Sequence, residues 1–329
     1  MTRSTQTDGR RVLLPRRTGW SSPQIHPDPG ETRDFSVSPC YGSRGGVWPS
    51  SRCALPARSE TTHLTRDIRA KSGRPPRANF SQFVRSLPEP ASLLGLTHIT
   101  SSYILRDILD DGCIAAQSYC PVLGEPVIYA FYGRAAFRGK IEFGPTNLAC
   151  LFPTVLIIDP NSVPPPKYVF AFDSGAFVGG KMDRFLHPYM PLFDFLLAPE
   201  PVSAGRLVSA VFGTNDSFFR NSPRPEFQVP PSNFEADCYR HIVLEGIEDL
   251  DDRGTTPELV FADKIELRRS VKAVILPDVL AKDPEIHTPL DSYGLDIYDY
   301  PLVSYSRPVE SHFTVRQIVE SIYRRYGWL

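Results

Sequence analysis

His98 closes a short apolar run, LTHIT, immediately ahead of SSYILRDILDDGCIAA. A histidine where a strand stops has two uses: a structural ring satisfied in the core, or a hydrogen-bonding group held toward a ligand. Thr100 follows with a hydroxyl. Tyr129 lies inside the strand-like EPVIYAFYG, Phe137 comes just beyond it in RAAFR, and Glu258 opens PELVFADKIEL, where Glu266 and Asp263 compete with it as carboxylates. AFDSGAF, residues 171–177, sets Asp173 and Ser174 in a tight Gly turn that suits a pocket wall. A Ser174 nucleophile would lack the G-x-S-x-G elbow and would need His187 or His241 beside it. EDLDDRG, residues 248–254, with Glu245, collects five acidic positions around Arg253. It has no EF-hand spacing, so a solvated turn is expected, with Arg253 in reach of the Glu258 region.

The elements that must position these groups are legible in outline. FSQFVRSLPEPASLLGL reads as a short helix, a Pro-rich link and a strand around Leu93–Ile99. Ser101 or Ser102 is a plausible N-cap. The helix after it puts Ile104, Leu105, Ile108 and Leu109 on one face, with Gly112 at its C-terminal turn. CLFPTVLIID, YVFAFD and VKAVILP read as further strands, the last joined to PELVFADKIEL by a short connection. Residues 185–245 lean helical, through PVSAGRLVSAVFG and SNFEADCYRHIVLEGI. SHFTVRQIVESIYRRYGWL closes the chain with a helix whose Val315, Ile318, Val319 and Ile322 fall at helical spacing and belong to a core. The mixed order of elements predicts an α+β domain.

Composition narrows the function classes. Of the 329 residues, 33 are proline and the net charge is −1. Residues 1–79 carry 14 Lys+Arg against 6 Asp+Glu, and residues 80–329 carry 22 against 31. A basic arm, rich in Pro, Gly, Ser and Arg and too poor in apolar residues to offset the cost of ordering, is therefore expected at 1–79. One α+β domain is expected at 80–329. The arm suits phosphate, while the acidic body argues against avid nucleic-acid binding by the domain. The six cysteines form no CxxC pair and no Cys/His ligand spacing, so no metal is expected. With no long apolar run and no signal-like segment, a soluble, reduced, cytoplasmic protein without membrane contact is expected.

Taken in order, THIT with the helix and ILDDGCIAA, then VIYAF with RAAF, then PELVF, resemble the ADP-ribosyltransferase fold, in the branch of the poly(ADP-ribose) polymerases. That branch has a histidine and Ser/Thr on its first strand, a strand tyrosine, small and aromatic residues beyond it, and a late strand opening on a glutamate. Here Ile99 stands where the family has a glycine beside the histidine. The resemblance implies a split antiparallel sheet with flanking helices, spanning about 90–280 and followed by a helical C-terminal segment. It implies NAD as substrate, with His98, Thr100, Tyr129 and Phe137 binding it and Glu258 as the catalytic group. Cleaving the nicotinamide–ribose bond passes through an oxocarbenium-like ribose, as glycoside cleavage does. A carboxylate beside that carbon interacts more strongly as charge develops. His98 and Thr100 would orient the dinucleotide, and Tyr129 and Phe137 would wall the flat nicotinamide. The acceptor would be a protein, a nucleic acid or water; compact stand-alone transferases of this fold often act as toxins or in defence. The alternative is a binding module that kept the fold and lost turnover.

Overall fold

The computed structural model describes residues 76–136, 144–247 and 251–329, all within one compact unit, Leu55–Leu329. Phe137, residues 248–250 and most of the expected arm, residues 1–75, lie outside the described residues. The folded part starts slightly before position 80. The Arg77 N–H donates to the Asp194 carboxylate at 2.8 Å, and helix α1 (Asn79–Arg85) buries Phe80 against Phe195 and Tyr239.

A seven-stranded sheet organises the rest. In chain order its strands are β1 (Leu96–Ser101), β2 (Ile128–Tyr132), β3 (Pro153–Ile158), β4 (Tyr168–Phe170), β5 (Glu258–Phe261), β6 (Val271–Pro277) and β7 (Asp296–Tyr300). Their order across the sheet is β7-β6-β3-β1-β2-β5-β4. All neighbours are antiparallel except β6 and β7, which run parallel. The helices include α2 (Ser102–Asp111), α3 (Ser174–Val178), α4 (Pro201–Phe212), α5 (Phe234–Glu245) and α6 (His312–Tyr326); further helices, Pro284–Ser292 among them, lie between these. The class is α+β, as expected. Among the described residues no helix is long and apolar enough to cross a membrane.

β3 is the spine: its Thr154–Ile158 are all buried, an apolar run with both faces covered. β1 pairs with β3 along its whole length, from Leu96↔Ile158 to Ser101↔Pro153. With β2 it pairs only at Leu96↔Tyr132 and Thr97↔Phe131, and beyond Thr97 the two strands part. The base of this fork is tightly held. The Tyr132 hydroxyl, fully buried, accepts the Leu94 N–H at 3.1 Å, the Gly133 N–H donates to the Gly95 carbonyl at 2.8 Å, and the Tyr323 hydroxyl donates to that same carbonyl at 2.9 Å. Gly133 has φ +77, and a Cβ there would lie 2.8 Å from Leu94, so no larger residue fits. Tyr132→Phe strands the buried Leu94 N–H. We expect it to cost about 1–3 kcal/mol, read as a lower urea midpoint at unchanged slope.

Several local expectations are corrected. Ser101 is the N-cap of α2, as expected, although its side chain makes no capping bond; the Ser102 hydroxyl bonds the Phe152 carbonyl and Thr154. Gly112 does close α2, at φ +66. Ile104 leaves the expected core face and is 37% exposed, whereas Leu105, Ile108 and Leu109 are buried. The Gly turn after YVFAFD is the short helix α3, capped by Asp173. β5 and β6 follow each other closely in sequence but are separated in the sheet by β2, β1 and β3. The sheet also runs past residue 280, because two short helices carry the chain back to lay β7 parallel to β6. α6 packs as predicted, with Val315, Val319 and Ile322 buried. In the described part of the acidic turn the expected solvation is not found: Asp251 and Asp252 are buried, Asp251 against Arg253 at 2.7 Å.

Candidate active site

Where β1 and β2 part, a cavity of about 500 Å³ opens. β1 contributes His98 and Thr100, which the two-residue period of a strand puts on one face. β2 contributes Tyr129, and Glu258 comes from the first position of β5. Glu258 lies in register with Phe131, itself opposite Thr97, so the ladder carries the carboxylate to within two strands of the histidine. The wall beyond is Asp173, Ser174 and Gly175, at the start of α3. The loop between residues 113 and 122, with Cys113, Gln117, Tyr119 and Cys120, forms the remaining side. Of the side chains singled out in the sequence, His98, Thr100, Tyr129, Glu258, Asp173 and Ser174 therefore meet at one cavity.

Each is held. The His98 imidazole spans the fork, its Nδ1 2.7 Å from the Tyr129 carbonyl. A carbonyl only accepts, so Nδ1 carries the proton and Nε2 is left as an acceptor. Burial pulls the His98 pKa down, against the opposing effect of that backbone bond, and the ring is neutral near pH 7. The Tyr129 hydroxyl donates to the Cys120 sulfur at 2.5 Å. Burial, then that bond and the nearby Glu258 charge, push its pKa far up, so it remains a phenol.

Glu258 is 2% exposed, not the exposed carboxylate that its place after a proline suggests. Its Oε2 accepts the Ser174 N–H at 3.0 Å. Burial, and after it the Asp173 charge, raise its pKa well above the ordinary 4.5; hydrogen bonds from Ser174 work the other way. Asp173 is raised too, first by burial, while the Ala176 N–H that it caps and the Arg253 charge lower it. The two carboxyls thus compete for protons across one helix start.

The rivals fall away on position. Glu266 is exposed beside Lys264, Asp263 is exposed, and neither lines the cavity. Arg253 is bound to Asp251, its carbonyl accepts the Asp173 N–H at 3.0 Å, and its charge acts on Asp173, but it is not part of the described lining. His187 and His241 are absent from the described lining, and His241 bonds Glu245 at 2.9 Å, so Ser174 has neither as a base. Ile99 borders the cavity, but strand alternation turns its side chain to the opposite face of β1 from His98. Among the described residues no group of three or more side chains is placed to hold a metal ion.

Sequence reasoning did not single out Asp107, Asp111, Tyr119 or Cys120. A signal for the first two existed: Ile104, Asp107, Ile108 and Asp111 recur at helical spacing, and all four line the cavity. No family model matches this chain, and neither does any curated protein or any solved structure.

The buried carboxyl predicts a pH signature. A carboxyl whose folded pKa lies above its unfolded value keeps its proton while the unfolded chain ionises. The fold then binds more protons, so stability falls as pH rises from about 4 through the folded pKa. Glu258→Gln removes this loss, and it relieves Asp173 of a like charge. The melting temperature of the variant relative to wild type should therefore rise between pH 4 and pH 8. A constant or falling difference would show that burial does not perturb Glu258.

Proposed function

We propose that the cavity binds NAD and that the protein is an NAD-dependent ADP-ribosyltransferase, cleaving the nicotinamide–ribose bond and passing ADP-ribose to a macromolecule or to water. One observation carries the reading: His98, Thr100, Tyr129 and Glu258, separated by up to 160 positions in the chain, all face one cavity at a strand fork. The parting of β1 from β2 is, on this reading, the split sheet expected of the family that the motifs resemble.

In this mechanism Nε2 of His98 accepts a ribose hydroxyl and Thr100 holds a second polar group, fixing the dinucleotide in a reactive pose. Tyr129 supplies an aromatic wall for nicotinamide; Phe137, the second aromatic expected from the sequence, lies outside the described residues. The C1′–N bond breaks with its electron pair leaving on nicotinamide, which departs neutral. The positive charge spreads over C1′ and the ring oxygen. The developing positive charge favours the ionised form of Glu258 despite its burial, and the carboxylate in turn stabilises that charge. An acceptor O–H or N–H then bonds to C1′ and releases its proton.

A second reading has its own support. The described lining holds Asp107, Asp111, Asp173 and Glu258 but no Lys or Arg. Carboxylates favour a cationic or neutral ligand over a dianionic pyrophosphate, as in a binding module without turnover. Nicotinamide release from NAD by the purified full chain, with and without cell lysate as acceptor, separates the two. Release establishes the glycosidic chemistry, and dependence on lysate distinguishes transfer from hydrolysis. Calorimetry in which nicotinamide riboside binds and NAD does not, with no release, would favour the binding module.

A further inference from the structure

A second cavity, of about 390 Å³, lies on the other side of β1 and β3. Ile99 and Ser101 of β1, on the face away from His98, form one wall with Pro153 and Val155 of β3. Cys150 and Leu151 edge it, and the chain entering α6, Pro308, Val309, Ser311, His312 and Val315, covers it. Its volume falls within the range of small-molecule sites, about 300–1,000 Å³. The described lining contains no Asp, Glu, Lys or Arg; Ser101, Tyr103, Ser311 and His312 supply the polar points among Ile, Leu, Val, Ala, Cys and Pro, and Thr100 borders it with its side chain turned to the His98 face.

The walls are built rather than loosely packed. The Thr146 N–H donates to the Ser306 carbonyl at 3.0 Å, and the Tyr305 N–H donates to Asn147 at 2.8 Å, tying the segment before Cys150 to the segment before Pro308. The Tyr300 hydroxyl donates to the Pro153 carbonyl at 2.7 Å, and Glu310 accepts the Arg307 N–H at 3.1 Å. The segment around Cys150 and Pro153 and the segment leading to Pro308 are thus held at fixed distances beside an apolar space. A preformed apolar space with few polar groups takes up apolar molecules in preference to water.

We propose that this cavity is a binding site for an uncharged, largely apolar small molecule, distinct from the site that holds Glu258 and independent of the activity proposed for it. The cavity selects against ions because a charge inside it would be desolvated with no described partner of opposite sign on the lining. A bound molecule rests on Ile99, one residue from His98.

The test is fluorescence titration of the full chain with the neutral probe N-phenyl-1-naphthylamine. Four single variants accompany wild type: Val309→Trp fills the half-buried wall, Cys150→Trp obstructs the exposed rim, Ile104→Trp crowds the other cavity, and Val303→Trp changes an exposed position that lines neither. We expect saturable one-to-one binding by wild type, weakened at least about tenfold, or 1.4 kcal/mol, in Val309→Trp and Cys150→Trp and unchanged in the other two. Melting curves check that each variant is folded; Cys150 is exposed, so its replacement carries the test should Val309→Trp not fold. No saturable binding by wild type, equal binding by all variants, or loss confined to Ile104→Trp would overturn the proposal.

Discussion

Glu258→Gln is expected to reduce nicotinamide release from NAD by about 10²–10³-fold, the usual loss when one preorganised group facing transition-state charge is removed. The substitution is nearly isosteric. The amide oxygen can still accept the Ser174 N–H that now binds Oε2 at 3.0 Å, so the start of α3 keeps its anchor. What disappears is the negative charge beside the ribose carbon. Binding should change far less than turnover, because the ground-state ribose carries little of that charge. His98→Ala, by contrast, removes an orienting contact and a strut across the fork, and should raise KM as well as lower kcat. Product chromatography over a range of NAD concentrations separates the two. If Glu258→Gln kept a third or more of the wild-type rate, the charge partner would have to be another group, with Asp173 of the same lining the next candidate.

Leu156→Ala is expected to destabilise the fold by about 2–5 kcal/mol, the range for removing a buried leucine from a core that cannot collapse around the gap. Leu156 is fully buried on β3, with His98 of β1 opposite it on one side and Val274 of β6 on the other. Both neighbouring strands are held by their own ladders, so neither can move into the space. For a folded unit of this size the melting temperature should fall by roughly 5–15 °C. Leu156 is in register with His98, so the same change should also loosen the fork. Val303→Ala, at a position 60% exposed, should by comparison alter stability by no more than about 0.5 kcal/mol. A cost below about 1 kcal/mol for Leu156→Ala would show that β3 is not the spine of the sheet.

Local interactions wrote themselves into the sequence and were legible there. α2 follows from the spacing of Leu105, Ile108 and Leu109 with a glycine at φ +66 to end it; β3 and β6 follow from their apolar stretches at 155–158 and 273–276; α6 follows from Val315, Val319 and Ile322. Each depends on neighbours within a turn or two of chain. β7 escaped notice because DIYDY is an edge strand with one buried residue, and so shows no strong apolar pattern. Ile104 was misassigned because helical spacing gives a face but not what lies opposite it.

The site divides along the same line. Its residue types, His98, Thr100, Tyr129 and Glu258, could be picked out one by one from the strand ends and strand interiors in which they sit. Their meeting at one cavity was settled by strand order, with β5 placed beside β2 and separated by three strands from β6, its near neighbour in sequence. Tertiary structure alone also decided that Glu258 is buried, that the Asp173 charge acts on it, and that a second, uncharged cavity backs onto β1. The physical reason is range. Helix caps and apolar periods are set by contacts a few residues apart, whereas burial, carboxylate coupling and cavities arise between segments that only the pairing of distant strands brings together.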